Sequence, residues 1–306
     1  EVLERLGLPV IIKARSGGGG KGMRLVEDMD DLKRQFDSAR KEAQNAFGDS
    51  GVYIEKYIKS PRHIEVQLMA DEHGNVIHLG ARDCSLQMNH QKVIEEAPPE
   101  GVDQAILDKL YETSIRAAKS VSYTSVGTIE YLLDQDGSYY FMEMNTRIQV
   151  EHPITEMVTG IDIVRDQVLI ACGERLAYKQ EDILIRGHAI ECRINAYDSD
   201  NNFLPSVGKI RALNMPGGYG VRVDSAIYQG YEVLPFYDSM LAKVISYGRD
   251  RKEAIRIMNR ALEEFVVDGV KTNIGFNLKL INDPVFIENK YDTSYLERSI
   301  DDTRPL

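Results

Sequence analysis

Two glutamates within residues 127–145 (GTIEYLLDQDGSYYFMEMN) give the clearest chemical signal in the sequence. Their apolar flanks, separated by Asp136 and Gly137, predict a β-hairpin. If these two residues form a two-residue turn, Glu130 lies directly opposite Glu143 in the antiparallel pair. Like charges in this arrangement destabilise a hairpin, so we expect a cation between the two carboxylates.

The expected cation site also includes an amide. With strict alternation along the strands, Asn145 lies on the same face as Glu143, and Thr128 lies opposite Asn145. Two carboxylates and an amide oxygen are hard ligands, which suit Mg²⁺ or Mn²⁺ better than zinc. In the alternative interpretation, a different turn length separates the glutamates, or both extend into solvent. The pattern favours a metal site formed by Glu130, Glu143 and Asn145.

The next segment, NTRIQVEHP (residues 145–153), concentrates polar groups at every second position. In an extended chain Arg147, Gln149 and Glu151 point the same way. A guanidinium, an amide and a carboxylate beside a metal could bind a small oxyanion and remove its proton. A partly exposed polar edge strand fits the same alternation.

A run of four glycines lies in KARSGGGGKGMR (residues 13–24). Its G-x-G-x-x-G match beginning at Gly17 is weak, because a dinucleotide site needs a helix after the loop and here a strand follows. A Walker A loop is excluded, since Gly22 follows Lys21 where a hydroxyl residue is needed. Two interpretations remain: a flap whose N–H groups cover nucleotide phosphates, or a flexible surface loop. Lys13, at the end of the preceding strand, favours the flap.

Local patterns predict the elements that would position these groups. We expect strands at residues 9–14, 23–27, 52–58, 63–70 and 75–83, and antiparallel strands at 188–196, 209–214, 220–227 and 240–247. Helices are expected at about 29–47, 103–121, 162–172, 251–267 and 274–281. The chain is therefore expected to mix helices with antiparallel sheet.

Composition narrows the class of protein. The 306 residues are 43% hydrophobic and carry a net charge of −11, which argues against general binding to nucleic acid or anionic membranes. Three widely spaced cysteines without a C-x-x-C pair predict neither a disulfide framework nor a zinc site, so a reducing cytoplasm is expected. No apolar run approaches the roughly 18 residues of a membrane helix.

Segments along nearly the whole chain match one enzyme family in their order. They are VIIKA, GGGGKGMR, EKYI, SPRHIEVQ, RDCS, HQKVIEEAP, EMNTRIQVEHPITEMVTG, GHAIECRINA, FLPS, PGGYGVR and YDSM. In this pattern the sequence resembles biotin carboxylase, a member of the ATP-grasp ligases. EMNTRIQVEHPITEM is highly specific for that family, whereas the glycine loop alone is not.

The resemblance implies an α+β chain with the ATP-grasp fold. It implies a lid subdomain with the glycine-rich flap at residues 1–57 and, at 58–185, an ATP-grasp core built on a larger antiparallel sheet. That core would hold the Mg²⁺ and bicarbonate sites. Residues 186–306 would form the biotin carboxylase C-terminal region.

The resemblance also implies a role for each matching residue. ATP would be bound by Lys13, Gly19, Gly20, Glu55, Lys56, Tyr57, Ile58, His63, Gln87, His90, Glu130 and Glu143. The metal would be held by Glu130, Glu143 and Asn145. Bicarbonate would be bound by Lys92, Arg147, Gln149, Val150 and Glu151. Arg193 would bind the biotin enolate, and the catalytic residues would be Lys92, Arg147, Glu151 and Arg193.

The implied reaction is ATP-dependent carboxylation of biotin with bicarbonate, the first half-reaction of acetyl-CoA carboxylase in fatty acid biosynthesis. Glu151 would deprotonate bicarbonate, which attacks the γ-phosphate of MgATP to give carboxyphosphate; CO₂ would then pass to biotin. The implied partners are a biotin carboxyl carrier protein, carboxyltransferase subunits and a second copy of the chain. The alternatives are a nucleotide-binding module without turnover, another ATP-grasp ligase, or the equivalent part of pyruvate or acyl-CoA carboxylase.

The sequence departs from the family pattern in several respects, among them Ala81 in place of a common glutamate and Val207 in place of a common proline. Met88 and Asn89 stand where the family usually has two arginines, which removes positive charge beside the cleft. The first residue is Glu1, and nothing corresponds to the family's N-terminal α/β domain. We therefore expect the chain to begin inside a larger protein and, by itself, to bind nucleotide with weak or absent turnover.

Overall fold

The structure is a computed structural model that describes residues 6–17, 22–89, 91–199 and 201–301. Internal contacts divide the chain into two units, Glu1–Ser60 and Pro61–Leu306. The domain boundaries expected at residues 57 and 185 stay predictions. Within the described ranges, no helix has the length and apolar character needed to cross a membrane.

The first unit is a small antiparallel sheet with one helix. Its elements are β1 (Val10–Ala14), β2 (Met23–Val26), α1 (Leu32–Phe47) and β3 (Val52–Lys56), and a 3₁₀ turn at Met29–Asp31 precedes the helix. In the described part of the unit the strand order is β2-β1-β3. Alternate residues of β1 are buried against Ala39 of α1, which is why this short apolar run forms a strand.

The second unit is built on a long antiparallel sheet. Its strands are β4 (Arg62–Ala70), β5 (Val76–Met88), β6 (Gln91–Ala97), β7 (Ser125–Leu133), β8 (Tyr139–Asn145), β9 (His188–Asn195), β10 (Tyr197–Asp198), β11 (Leu204–Pro205), β12 (Gly208–Lys209), β13 (Ala212–Asn214), β14 (Val221–Ser225), β15 (Glu232–Val233), β16 (Met240–Gly248) and β17 (Val266–Asp268). Over the described residues, eight of them form one sheet in the order β14-β16-β9-β6-β5-β4-β7-β8. The remaining short strands pair two by two as β10-β11, β12-β15 and β13-β17.

Helices cover this sheet. They are α2 (Gln104–Ser120), α3 (His152–Thr159), α4 (Ile163–Ala171), α5 (Arg251–Glu264), α6 (Ile274–Ile281), α7 (Pro284–Ile287) and α8 (Tyr295–Asp301), with a 3₁₀ turn at Gln180–Asp182. Helix α2 packs on apolar residues of β4 and β7, whereas α5 and α6 pack on those of β6, β9 and β16. These apolar residues lie on one side of the sheet, which we call the helix face.

Alternate residues of the same strands point to the other side, which we call the charged face. Register pairs Glu65 of β4 with both Arg82 of β5 and Glu130 of β7. It also pairs Glu95 of β6 with Glu191 of β9. Part of this face is apolar and lies beneath α3, where Ile154 and Val158 pack against Ala189 and Ile245. The sheet is therefore buried on both sides, but with opposite chemistry.

Several expected elements need correction. Strand β6 and helix α3 were not predicted, because the first carries charged residues on a buried strand and the second follows a polar loop. Residues 209–214 form parts of two short strands rather than one, and the helix expected at 251–267 ends at Glu264 and is followed by β17. The expected strand at 75–83 continues to Met88. The other predicted strands and helices are confirmed within a few residues at their ends.

Candidate active site

The hairpin of β7 and β8 places the two glutamates as predicted. Glu130 lies opposite Glu143, and Thr128 lies opposite Asn145. The expected two-residue turn is wrong, since the Asp134 N–H donates to the Ser138 carbonyl at 2.8 Å and leaves a three-residue loop at 135–137. A β-bulge then shifts the register between the Tyr131–Phe141 and Glu130–Glu143 pairs. The bulge compensates for the longer loop, and the two carboxylates still face each other.

The end of this hairpin suits a hard divalent cation. The Asn145 amide nitrogen lies 3.1 Å from Glu130 Oε1 and 3.4 Å from Glu143 Oε1, so oxygens of both carboxylates converge on one group. Glu130 is buried and Glu143 is exposed, which leaves a side open to a ligand. Half a turn of the Asn145 amide would present its oxygen instead of its nitrogen. These donors fit Mg²⁺ or Mn²⁺.

Residues 146–151 do not form the expected extended strand, and a polar edge strand is wrong as well. The segment is a loop that ends at Glu151, the N-cap residue of α3, with Pro153 in the first turn of that helix. Proline is favoured at this position because its missing N–H needs no partner there. Gln149 and Glu151 are buried, whereas Arg147 is exposed and donates to Asn145 Oδ1 at 3.0 Å. The three side chains therefore do not share a strand face.

Lys92 is at the centre of the charged face. Its ammonium group lies 2.7 Å from Glu65 Oε2, 3.0 Å from Glu130 Oε1 and 2.5 Å from Glu151 Oε1. Each of these carboxylates comes from a different element, so the lysine joins β4, β7 and the start of α3. Ammonium–carboxylate hydrogen bonds of this kind are stronger than neutral ones.

A β-bulge aims Lys92 at these carboxylates. Leu86 pairs with Ile94, yet the next residue of β5, Gln87, pairs with Lys92, so β6 contains one extra residue at Val93. Val93 and Ile94 both pack on the helix face, which breaks the alternation and turns Lys92 to the charged face. Re-aiming a side chain is a recognised consequence of such bulges. Sequence alternation alone would place Lys92 on the wrong side.

Arg82 organises the floor of the site. It is fully buried, and its guanidinium donates hydrogen bonds of 2.5 to 3.3 Å to five side chains. These acceptors are Glu65, Gln67, Thr128, Gln149 and Thr155. Burial raises the pKa of Glu65, but the charges of Arg82 and Lys92 outweigh it and hold that pKa well below its ordinary value. Glu65 is therefore ionised at neutral pH.

Glu151 lies between two cations. One carboxylate oxygen contacts Lys92, and the other accepts from Arg193 Nη2 at 3.0 Å. Burial and the charge of Glu65 raise the pKa of Glu151, but Lys92, Arg193 and Arg82 outweigh them and lower it overall. Glu151 is thus a buried carboxylate that is free of its proton at neutral pH. The backbone carbonyl before it, on Val150, accepts from Lys243 Nζ at 2.8 Å.

His63 and Gln87 lie beside the glutamates. The Gln87 amide nitrogen donates to His63 Nδ1 at 3.0 Å, which leaves the proton of the neutral imidazole on Nε2. That Nε2 atom lies 3.4 Å from Glu130 Oε2. Gln87 also donates to the Cys84 carbonyl at 2.8 Å, so it orients the imidazole from a fixed position.

The other residues expected to bind ATP lie in the first unit or outside the described residues. Lys13 forms an ion pair with Glu55 across β1 and β3, and Lys56 Nζ donates to the Leu8 carbonyl at 3.1 Å. Tyr57 and Ile58 follow β3, and Ile58 is buried. Gly19, Gly20 and His90 lie outside the described residues.

Sequence reasoning missed half of the charged face. Glu65, Gln67 and Arg82 were not identified, nor were Glu95, Thr155, Glu191 and Lys243. A signal existed in β4, where His63, Glu65 and Gln67 alternate with apolar residues inside a predicted strand. The segment containing Glu95 was not expected to be a strand, so its alternation could not be used.

The assembled side chains can bind anions beside a buried base. Lys92, Arg193 and the exposed Arg147 supply positive charge, and Glu151 supplies an ionised carboxylate 2.5 Å from one of these cations. The opposed pair Glu130 and Glu143 supplies oxygens for a cation. This combination fits a reaction that joins a small oxyanion to a nucleotide phosphate.

Comparisons with known proteins agree with this chemistry. Residues 1–179 match the family model for the carbamoyl-phosphate synthase L chain ATP-binding domain, and residues 191–298 match that for the biotin carboxylase C-terminal domain. The chain is 51% identical to biotin carboxylase of Nostoc sp. over 97% of its own length and 66% of the relative's. It is also 51% identical to a pyruvate carboxylase subunit of Methanothermobacter thermautotrophicus, over 97% of the chain and 60% of the relative.

A solved structure has the same fold. The biotin carboxylase domain dimer of Hydrogenobacter thermophilus 2-oxoglutarate carboxylase, in complex with MgADP, ADP and bicarbonate, superposes with a TM-score of 0.93 at 46% identity. The match covers 97% of this chain and 66% of that one. The expected fold class, α+β with an ATP-grasp fold and a biotin carboxylase C-terminal region, is thereby confirmed. The chain belongs to the biotin carboxylase family of ATP-grasp proteins, and it spans less than two thirds of the length of the curated relatives named here.

Proposed function

We propose that the chain carries out the MgATP-dependent carboxylation of biotin on a carrier protein, with bicarbonate as the carbon source and carboxyphosphate as the intermediate. One observation carries the proposal: the buried carboxylate of Glu151 is held between Lys92 and Arg193, next to the opposed pair Glu130 and Glu143. The proposed base, the proposed anion-binding cations and two of the proposed metal ligands therefore lie close together.

Bicarbonate is bound by the cations around Glu151. Lys92 Nζ and the amide of Gln149 both reach Glu130 Oε1, at 3.0 and 2.6 Å, so these donors lie on one side of the charged face. The backbone of Val150 and the side chain of Arg147 complete the proposed pocket. A planar anion of this size matches the forked donors of a guanidinium.

Glu151 removes the proton of bicarbonate. Its low pKa in the structure reflects its direct contacts with Lys92 and Arg193. A bound anion shares those two cations, which weakens their hold on Glu151 and raises the pKa of its carboxyl. Substrate binding therefore makes Glu151 a stronger base where the proton must be taken.

Glu130, Glu143 and Asn145 would hold Mg²⁺ or Mn²⁺, which when bound neutralises charge on the nucleotide phosphates. In the first unit, the proposed nucleotide-binding residues are Lys13, Glu55, Lys56, Tyr57 and Ile58. In the second unit they are His63 and Gln87. We retain Gly19, Gly20 and His90 in the proposed nucleotide site on the resemblance alone.

Arg193 binds the biotin enolate in the second step. Its guanidinium is anchored to Glu95 Oε1 at 2.6 Å and to Glu151 Oε2 at 3.0 Å, so its direction is set from two sides. Positive charge at this position stabilises the oxygen that becomes negative when the ureido N1′ loses its proton. Released phosphate is the proposed base for that proton.

The proposed partners are a biotin carboxyl carrier protein, carboxyltransferase subunits and a second copy of the chain. We favour acetyl-CoA carboxylase, and hence fatty acid biosynthesis in the cytoplasm, because of the Asn145-Thr146-Arg147 triplet. The similarity to one component of a pyruvate carboxylase keeps that pathway as an alternative. The three cysteines are free, which accords with a reducing compartment.

One assay tests the proposal: phosphate release from MgATP in the presence of bicarbonate and free biotin, with MgATP affinity measured by calorimetry. We expect bicarbonate-dependent release, and a loss of at least about 100-fold in Glu151→Gln, as removing a general base does. Glu112→Gln, an exposed residue on α2, is the matched control. Binding without turnover would favour a nucleotide-binding module. Phosphate release that depends on an amino acid would favour another ATP-grasp ligase. The absence of both binding and turnover would overturn the site.

A further inference from the structure

A second pair of opposed glutamates lies behind Arg193. Glu95 of β6 and Glu191 of β9 are register partners in the centre of the sheet, and both are 0% exposed. Unlike Glu130 and Glu143, this pair has no opening to solvent at either member. The role described for Arg193 does not account for why two acids are placed together here.

The two carboxyls have unequal partners. Glu95 Oε1 accepts from Arg193 Nε at 2.6 Å, and Arg193 Nη2 also lies 2.6 Å from it. Glu95 Oε2 and both oxygens of Glu191 have no hydrogen-bond partner among the described residues. Buried polar atoms without partners are rare in folded proteins, so three on adjacent residues need an explanation.

The charged groups around Glu191 do not pair with it. Lys243 of β16, the register partner of Arg193, directs its ammonium group to the Val150 carbonyl at 2.8 Å and to Asp224 of β14 at 3.5 Å. Arg193 lies on β9 with Glu191, but its guanidinium contacts Glu95 and Glu151 at the start of α3. Ile245, opposite Glu191 on β16, is apolar.

A fully charged pair would be unfavourable in this position. The largely buried charged groups of this face are Glu65, Glu95, Glu130, Glu151 and Glu191 with Arg82, Lys92, Arg193 and Lys243; His63 lies beside Glu130, and Asp224 lies beside Lys243. Of these two adjacent buried carboxylates only Glu95 contacts a guanidinium, so a charged Glu191 would lack compensation. Binding one proton removes that charge.

The pKa values change in the direction that this argument requires. Burial and then the charge of Glu95 raise the pKa of Glu191 well above its ordinary value. Burial raises the pKa of Glu95 to about 7, although Arg193 acts in the opposite direction. Two interacting carboxyls titrate as a pair, and the member without a cation keeps its proton to higher pH.

We propose that Glu95 is a positioning residue for the Arg193 guanidinium, and that Glu191 keeps its proton beside it, so that the pair carries no more than one negative charge at neutral pH. One carboxylate then matches one guanidinium, and Arg193 is held toward Glu151 and the proposed biotin oxygen. The expected effect on catalysis rests on the proposed function, whereas the protonation of Glu191 does not depend on that function.

The proton is tested by carbon NMR of the chain labelled at glutamate Cδ. We expect the resonance that disappears in Glu191→Gln to have, at pH 7, the shift of a protonated carboxyl, and to change only at higher pH. A shift typical of an ionised carboxylate at pH 7 would overturn the shared proton. This measurement needs no turnover, so it stands even if the proposed reaction is wrong.

Positioning is tested with Glu95→Gln and the exposed control Glu112→Gln. We expect Glu95→Gln to lower kcat/KM for biotin by on the order of 10- to 100-fold, as misplacement of a reacting group does, with an unchanged KM for MgATP and an unchanged melting temperature. Its Arg193 Nε–H should also exchange faster with solvent, which NMR reads without catalysis. Unchanged exchange, or equal effects on biotin and MgATP, would overturn the positioning role.

Discussion

The two faces of the large sheet use the same strands for opposite purposes. On β9, Ile190, Cys192 and Ile194 pack on the helix face, whereas Glu191 and Arg193 point to the charged face. Every one of these side chains except Arg193 is 0% exposed, and Arg193 is largely buried. Burial therefore does not distinguish the two faces.

The difference lies in what each face must satisfy. The helix face needs apolar volume that fits its neighbours, and one side chain can be exchanged for another of similar size. The charged face needs a specific partner for each group, because a buried charge that loses its partner is strongly destabilising. Substitutions of apolar residues on the helix face should therefore act through volume, whereas those on the charged face, and those of the buried acid Glu96 on the helix face, should act through charge pairing. Four predictions, ordered by their effect on the free energy of unfolding, test this difference.

The largest effect is expected for Arg82→Met. The substitution keeps an apolar stem but leaves Glu65 without its guanidinium partner, and breaking a buried ion pair from one side costs about 3–5 kcal/mol. Urea unfolding monitored by circular dichroism measures the change. Ile190→Val on the helix face is the matched control and should cost only about 0.5–1.5 kcal/mol. Equal losses for both variants would remove the distinction between the faces.

The second effect concerns Glu96, a buried acid on the helix face. Burial raises its pKa, but the hydrogen bond from His188 and the charge of Arg251 outweigh it and lower that pKa to about 2. A lowered pKa stabilises the fold above about pH 4.5, and this stability is lost as the pH falls toward 2. The loss amounts to about 3 kcal/mol, at roughly 1.4 kcal/mol per pH unit.

Unfolding by urea at pH 6 and at pH 3 checks this prediction. Glu96→Gln should be less stable than the parent at pH 6, and its stability should fall less over the same interval. Tyr291, which donates to Glu96, offers a second variant in Tyr291→Phe, for which we expect a smaller change. A pH dependence in Glu96→Gln as steep as in the parent would show that other acids cause it.

The third effect is small for stability but large for ligand binding. Glu143 is exposed, so Glu143→Gln should change the free energy of unfolding by less than about 0.5 kcal/mol. Because it removes one of the two opposed carboxylates, it should weaken Mg²⁺-dependent nucleotide binding by roughly 10-fold or more. Calorimetry with MgATP measures this, with the exposed Glu72→Gln as control. An unchanged Mg²⁺ requirement would argue against the metal site.

A similarly small effect on stability is expected for Lys13→Met in the first unit. The side chains of Lys13 and Glu55 are 24% and 45% exposed, and ion pairs of this kind contribute about 0–1 kcal/mol. Nucleotide affinity should nevertheless fall, because Lys13 is the proposed phosphate contact. Lys33→Met, at an exposed position on α1, is the control. A loss of stability without loss of affinity would assign Lys13 a structural role.

The facing of the hairpin glutamates was predictable, because its geometry is local. Glu130, Glu143 and Asn145 belong to one hairpin, and alternation along two adjacent strands is enough to place them on one face. The predicted two-residue turn is wrong, but the predicted pairing is confirmed because a bulge in the hairpin compensates for the longer loop. The extended chain expected at residues 147–151 is wrong, because a helix begins there with Glu151 as its N-cap and Pro153 in its first turn.

The buried part of the site was not predictable from local patterns. Glu65, Arg82, Lys92 and Glu95 lie on strands whose order in the sheet is set by contacts between distant segments. Lys92 in particular reaches the charged face through a bulge at Val93, which the residue types around it do not indicate.

The sequence by itself determined the period of each strand, the opposed glutamates of the hairpin and the motifs that resemble one family, because these depend on neighbouring residues. The tertiary structure alone decided which charges meet: Arg82 with Glu65, Lys92 with Glu151, and Arg193 with Glu95. The physical reason is that ion pairs inside a sheet depend on strand order and register, which arise from packing across the whole chain. The strength of these ion pairs also depends on how deeply they are buried, and burial requires several segments to pack together.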